Sequence, residues 1–318
     1  MKKVFLCEFI HPEAYAYLKE HAEIISTWER FSEADAVIDR NFKITEELLS
    51  QTKQLKVIGV HGTGTDDVDL EAAKRHGVEV FSVPHQNAQS VAEMNVALML
   101  ALGRKVVLAD RKIMGRSSNE NGQASLNVKE SEEPKKNLFA ELQGTEFHGK
   151  TVGLIGIGDI SKRTARICQY GFGMKVIGWS RHLTKEEARS LDIESYETMD
   201  EVFEKADVIV IGLALDASTY KLIGKSQFEK MKKGAFLINA TRGAVLDEQA
   251  LYEALRDGKV SGAACDVFVE EPLTKLNLLT KLDNFVGTPH LGANTDDALK
   301  RVGMAVVEGV LKRLGKVS

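Results

Sequence analysis

Residues 151–161 read TVGLIGIGDIS, and they decide the fold. Thr151–Ile155 is short, apolar and rich in β-branched residues, which predicts a strand. It runs directly into Gly156-Ile157-Gly158, and a helical stretch follows. The first glycine permits a tight turn, and the second lets the backbone approach a bound group closely. The N–H groups and positive dipole end of the next helix then suit a pyrophosphate. Gly156, Gly158, Asp159 and Ile160 are therefore the expected contacts to a dinucleotide. The third glycine of the G-x-G-x-x-G pattern is Ser161 here, at a position that governs helix–strand packing. Asp159 is unfavourable beside a phosphate unless it points outward; Lys162 and Arg163 are placed to offset it.

Working outward, the same alternation continues. Strands are expected at Thr151–Ile155, Lys175–Trp179, Val208–Leu213, Ala235–Asn239, Ala263–Val267 and Phe285–Val286, with helices between them. Six strands so arranged make a complete doubly wound dinucleotide-binding domain. Upstream, Val4–Phe9, Ala36–Ile38, Leu55–Val60 and Val78–Val83 alternate with helical stretches at Pro12–His21, Thr45–Thr52 and Val68–His76. Ser90 to Ala109 reads as one long apolar helix, with Ser90 as N-cap and Glu93 completing a capping box. After His290 one helix remains, Thr295 to Leu314, too short for a domain of its own.

The fold class is thus α/β, with two doubly wound parallel-sheet domains. A Rossmann cofactor domain (101–289) is inserted into a flavodoxin-like substrate domain built from 1–100 and 290–318, with hinges near Leu100 and Pro289 and a cleft between the domains. Residues 115–140 form a polar insertion without periodicity, longer than the ~12–15 residues of an ordinary loop. The lone C-terminal helix leaves no room for an added regulatory domain.

Composition bounds the function. The chain has 318 residues, 43% hydrophobic and 28% charged, with net charge −4. That excludes general disorder and argues against a nucleic-acid or membrane partner, where a basic surface is expected. No stretch reaches the roughly 18 apolar residues of a membrane span. The apolar run after Met1-Lys2-Lys3 is broken by Glu8, His11 and Glu13, so it reads as a strand and not a signal peptide. Cys7, Cys168 and Cys265 are scattered among apolar residues, as free thiols in a reducing cytoplasm are. The histidines show no ligand spacing, and no metal is expected.

The end of the second strand of the cofactor domain bears on which dinucleotide binds. An NAD site usually has an acid there to accept from the ribose 2′-OH. Here KVIGWSRH (175–182) has none. Ser180 can hydrogen-bond a 2′-phosphate and Arg181 can pair with it. NADP(H) is therefore expected over NAD(H), which stays the alternative.

Three polar residues follow the late strands: Arg242 after FLINAT, Glu271 after DVFVE, and His290 after Thr288-Pro289. Open α/β sheets place ligands at such strand ends. A cation, a carboxylate and an imidazole on one rim suit reduction of a 2-keto acid. With these blocks the chain resembles the D-isomer-specific 2-hydroxyacid dehydrogenases, glyoxylate/hydroxypyruvate reductase-like or phosphoglycerate dehydrogenase-like. The resemblance runs from about Leu55 to Ala298 through VIGVHGTGTDDVDLEAA, SVAEMNVALMLAL, TVGLIGIGDI, FLINATRGAVLDEQAL, GAACDVFVEEPL and TPHLGANT.

The resemblance implies roles. Arg242 binds the substrate and polarises its carbonyl. His290 is the general acid in reduction, and Glu271 hydrogen-bonds it and raises its pKa. Leu213, Ala240, Thr241 and Asp266 join the cofactor contacts, Asp266 holding the nicotinamide carboxamide. Gly62, Thr63 and Gly64 offer backbone N–H groups to the substrate carboxylate, with His61 beside them. A homodimer is implied. Gly212 and Ala214 depart from the family's usual His and Pro, and the insertion replaces a Trp-containing segment, so substrate identity transfers least. The expected activity is NAD(P)H-dependent reduction of a glyoxylate- or hydroxypyruvate-like 2-keto acid. The alternatives are NAD-dependent 3-phosphoglycerate dehydrogenation and, in another class, a non-catalytic dinucleotide-sensing protein.

Overall fold

The computed structural model describes residues 1–114, 140–273 and 277–317. The expected polar insertion, residues 115–140, lies outside the described residues except for Ala140. The chain divides into two units, Met1–Ser90 with Ala293–Ser318, and Val91–Gly292. These divisions differ from the expected ones at residues 100 and 289. Val91 packs against Gly292, so both belong to the second unit.

The first unit holds five parallel strands in the order β2-β1-β3-β4-β5. They are β1 (Lys3–Leu6), β2 (Glu23–Ile25), β3 (Ala36–Asp39), β4 (Val57–Val60) and β5 (Glu79–Ser82). Side chains alternate across the sheet. Val4 and Leu6 join a core with Val306, Val307 and Val310 of the C-terminal helix Asp296–Arg313. Phe5, Val37 and Ile58 face the other way, onto Phe31, Leu49, Ala72 and Ala73. Gly59 sets the approach of the C-terminal helix: a Cβ there would stand 2.7 Å from Val306. β2 was not expected; three edge residues carry too little periodicity to announce a strand.

The second unit holds seven parallel strands in the order β12-β11-β10-β9-β6-β7-β8. They are β6 (Thr151–Ile155), β7 (Lys175–Trp179), β8 (Glu194–Ser195), β9 (Val208–Ile211), β10 (Phe236–Asn239), β11 (Gly262–Cys265) and β12 (Phe285–Gly287). The short edge strand β8 is one more than the six expected. Strand order reverses between β6 and β9, so ligands are expected outside the carboxyl ends there.

The long helix differs from expectation. It spans Ala88–Gly103, so Ser90 lies inside it and does not cap it. Its end is set by contacts. Thr145 N–H takes the Gly103 carbonyl at 2.7 Å, and the Phe147 ring packs where a Gly103 side chain would be. Lys105 then takes left-handed dihedrals (φ 54°), and a second helix, Val106–Ile113, follows. The helix after the glycine turn is Asp159–Arg166, closed by a π turn at Ile167–Gly171.

That turn depends on a second small residue. Gly156 has φ +87°, and a Cβ on it would meet the Gly212 carbonyl oxygen at 2.6 Å. Ser161, buried in the third-glycine position, donates its hydroxyl to the Gly156 carbonyl at 2.7 Å. A Cβ on Gly212 would stand 2.1 Å from that hydroxyl. Gly212 therefore makes the room that Ser161 occupies. In the first unit Asp39 is fully buried. Its Oδ1 accepts from Phe42 N–H at 3.1 Å, and its Oδ2 has no hydrogen-bond partner within normal bonding distance among the described residues. Burial pushes this carboxyl up to about 7.

Two outcomes follow from this packing. G212A should destabilise the chain by roughly 1–3 kcal/mol in denaturant unfolding, as overpacking does, and S161G should recover part of that loss; equal stability of G212A and wild type contradicts the packing. The folded Asp39 keeps a proton that the unfolded chain releases above its lower pKa, so stability is lost as pH rises through this window. Asp39→Asn should therefore raise the melting temperature at pH 8, with a gain in stability of up to roughly 4 kcal/mol, and change little at pH 4. The same gain at both values contradicts the account.

Candidate active site

Strands β10, β11 and β12 are neighbours and parallel, so their carboxyl ends share one rim. Each delivers one functional side chain. Beyond β10, Asn239 shapes the turn that carries Arg242. Its buried amide donates to the Arg242 carbonyl at 2.9 Å and accepts from Thr241 N–H and O–H at 3.1 and 3.0 Å. Arg242 Nη1 donates to the Thr241 carbonyl at 3.0 Å. Gly243 next to it packs on the Phe268 backbone so closely that a Cβ would stand 2.0 Å from the Phe268 carbonyl carbon. Only glycine fits there, and the contact ties the Arg242 turn to the segment that carries Glu271.

Beyond β11, Glu271 Oε1 accepts from Phe268 N–H at 2.7 Å. Glu248 braces the same segment by accepting from Val269 N–H at 2.7 Å and the Asn277 amide at 2.9 Å. Beyond β12, His290 sits at φ +55°, a left-handed conformation that costs a non-glycine residue. Asp266 holds it there. The Asp266 carbonyl accepts from His290 N–H at 2.7 Å. Its carboxylate accepts from Thr288 O–H at 2.5 Å, Leu291 N–H at 2.8 Å and Gly292 N–H at 2.6 Å.

His290 Nδ1 and Glu271 Oε2 are 2.6 Å apart. The hydrogen bond to Glu271 raises the imidazole pKa above its ordinary 6.5, against burial and the nearby Arg242 charge. Burial alone would raise Glu271, but the hydrogen bond and charge of His290, Phe268 N–H and Arg242 together hold it below the usual range. With Nδ1 turned to Glu271, Nε2 is the ring atom left to exchange a proton with a substrate. The pair is partly exposed, with side chains 38% and 32% accessible.

The glycine turn fits a dinucleotide. A Cβ on Gly158 would meet nothing within 4 Å, so backbone and not side chain lines that place. Gly158 caps the Asp159–Arg166 helix without a side chain over its N–H groups. The turn follows β6, on the same carboxyl edge as the rim. Leu213 packs beside Gly156 and is nearly buried, Ala240 is buried after β10, and Ile160 is half-buried in the first helical turn. Asp159 occupies the first helical position. Lys162 does not offset it, because its ammonium pairs with Glu187 at 2.7 Å. Ser180 is half-buried at the end of β7. Arg181 donates to Ser218 Oγ at 2.9 Å and Asp216 Oδ2 at 3.3 Å.

Some expected roles change. Asp266 is wholly buried and its carboxylate holds the His290 loop, a role the resemblance did not imply. In the first unit Gly62 N–H is bonded to the Val60 carbonyl at 2.8 Å and is not offered to a ligand. Thr63 and Gly64 N–H have no backbone partner among the described residues. His61 is buried, and burial together with the Arg40 charge pushes its imidazole down to about 4. It is neutral near pH 7, and its Nε2 has no partner among the described residues. Sequence reasoning missed Asn239, Asp216 and Ser218. The run Asp216-Ala-Ser218-Thr219 has the composition of a side-chain-capped turn and could have drawn notice. Among the described residues no cluster of His, Cys, Asp and Glu is placed to hold a metal, and no helix is long and apolar enough to cross a membrane.

Known proteins resemble this chain in sequence and fold. The family described as D-isomer specific 2-hydroxyacid dehydrogenase, NAD binding domain, matches residues 96–292. A D-3-phosphoglycerate dehydrogenase of Methanocaldococcus jannaschii is 36% identical over 99% of this chain, which spans 58% of that relative's length. A hydroxypyruvate reductase of Thermotoga maritima is 36% identical, over 96% of this chain and 93% of the relative. The crystal structure of the TT0316 protein from Thermus thermophilus superposes with a TM-score of 0.83 at 29% identity, covering 99% of this chain and 98% of that one. The family match over residues 96–292 and relatives 36% identical over nearly the whole chain show that the chain belongs to the D-isomer specific 2-hydroxyacid dehydrogenase family.

Proposed function

We propose that the chain reduces a small 2-keto acid of the glyoxylate or hydroxypyruvate class to the D-2-hydroxy acid, using a nicotinamide dinucleotide with NADPH preferred over NADH. The observation that carries this reading is the 2.6 Å bond between His290 Nδ1 and Glu271. A bound dinucleotide supplies the hydride that adds to C2 of the keto acid. Arg242 binds the carboxylate or carbonyl oxygen and draws electron density from the carbonyl, so that C2 accepts the hydride. His290 gives its Nε2 proton to the oxygen as negative charge develops there. Glu271 orients the ring and stabilises its cationic form before the transfer. In the reverse direction neutral His290 takes the proton back. In the first unit, His61, Thr63 and Gly64 are the proposed contacts to the substrate carboxylate; neutral His61 adds no charge of its own.

Ser180 and Arg181 support NADPH, since β7 ends without an acid. Oxidation of 3-phosphoglycerate is the second reading, supported by the name of the Methanocaldococcus relative. Assembly as a homodimer and a cytoplasmic location belong to the same proposal. The exposed apolar Val106, Ile113 and Met114 support the first, and buried free Cys168 and Cys265 are consistent with the second.

A panel of 2-keto acids assayed with both cofactors, and 3-phosphoglycerate in the oxidative direction, tests the activity. Turnover of glyoxylate or hydroxypyruvate is expected; binding of a dinucleotide with no turnover of any substrate contradicts it. His290→Ala should lower kcat by about 10²–10⁴, the usual share of a general acid, while cofactor affinity is retained. Protonated His290 is the active form in reduction, so kcat/KM for reduction should fall as pH rises through the raised pKa of His290. In E271Q that fall should move to lower pH. An unmoved profile contradicts the role of Glu271.

A further inference from the structure

The Arg181 contacts lie in a telling place. Strands β7 and β9 flank β6 on its two sides. Arg181 lies just beyond β7, and Asp216 and Ser218 lie in the segment after β9. Their contact therefore spans the carboxyl end of β6, where the Gly156–Gly158 turn stands. The two oxygens of Asp216 divide their work. Oδ1 accepts from Ser218 N–H at 2.7 Å, Ser218 O–H at 2.5 Å and Thr219 N–H at 3.0 Å, fixing the local turn. Oδ2 faces the Arg181 guanidinium at 3.3 Å. Those hydrogen bonds, the Ser218 hydroxyl first, hold the carboxyl down to about 2, so it is anionic at any working pH.

We infer that Asp216 is a selectivity residue of the cofactor site, supplying from the segment after β9 the acid that the end of β7 lacks. This rests on the proposed binding of a dinucleotide at the glycine turn. A ribose 2′-hydroxyl can donate to the Asp216 carboxylate without disturbing Arg181. A 2′-phosphate must draw Arg181 away from Asp216 and is repelled by that carboxylate. Arg181 and Asp216 thus pull in opposite directions, and the chain uses both cofactors with a modest preference for NADPH. Both side chains are about half exposed, 48% and 52%, so a moderate and salt-sensitive effect is expected.

The test measures dissociation constants of NADPH and NADH by nucleotide fluorescence, without substrate, at low and high salt. D216N keeps an oxygen for the turn but loses the charge. It should raise the NADPH-over-NADH affinity ratio by about three- to tenfold, the range of one exposed charge-assisted contact. R181A should lower the ratio, and both shifts should shrink at high salt. A ratio in D216N within about twofold of wild type, with both nucleotides bound, overturns the role of Asp216 and leaves the cofactor reading standing. Failure of wild type to bind either nucleotide overturns the cofactor reading itself, and the inference with it. Should D216N not fold, D216S keeps a turn acceptor without charge and is read in the same way.

Discussion

A buried carboxylate holds the reactive end of the second unit in shape. Asp266 spends both oxygens on the loop after β12, and its carbonyl takes the His290 N–H. A buried charge is tolerable only when hydrogen-bonded this fully. The same bonds keep His290 in a left-handed conformation that it would otherwise leave. From there its ring reaches Glu271, which the Phe268 N–H holds in turn. Gly243, pressed on the Phe268 backbone, brings the Arg242 turn to the same segment. Three strand ends become one site through the hydrogen bonds of two carboxylates and one close glycine contact.

The glycine turn rests on a comparable reciprocity. Ser161 in place of a third glycine calls for empty space opposite, and Gly212 supplies it. A Cβ on Gly212 would also meet the Gly156 carbonyl oxygen at 2.6 Å, so the turn backbone and Ser161 both call for that space. Together Ser161 and Gly212 keep the Gly156 turn tight while adding a hydrogen bond to its carbonyl.

Much of this was legible in the residues, for identifiable reasons. Buried parallel strands are continuous β-branched runs, so Val57–Val60 and Val208–Ile211 stood out. Glycine turns and strand-end polar residues announce themselves because few other residues can do their work. The edge strands β2 and β8 lack a period and stayed hidden, whereas the equally short edge strand β12 was legible in Phe285-Val286. The break at Lys105 is set by Thr145 and Phe147, some forty residues on, and no local signal marks it. Asp266 stood out as polar at a strand end, but its loss of contact with solvent to the His290 loop depends on tertiary packing. The pairing of Arg181 with Asp216 likewise joins residues that only the sheet order brings together.

The account turns on an imidazole whose cationic form Glu271 favours and whose loop Asp266 holds. The most direct measurement is the titration of His290 itself, followed by NMR of the imidazole in the cofactor-free chain and assigned by its loss in H290A. A midpoint above the ordinary 6.5 is predicted, falling when Glu271 becomes Gln. A midpoint at or below 6.5 in the unaltered chain would contradict the account.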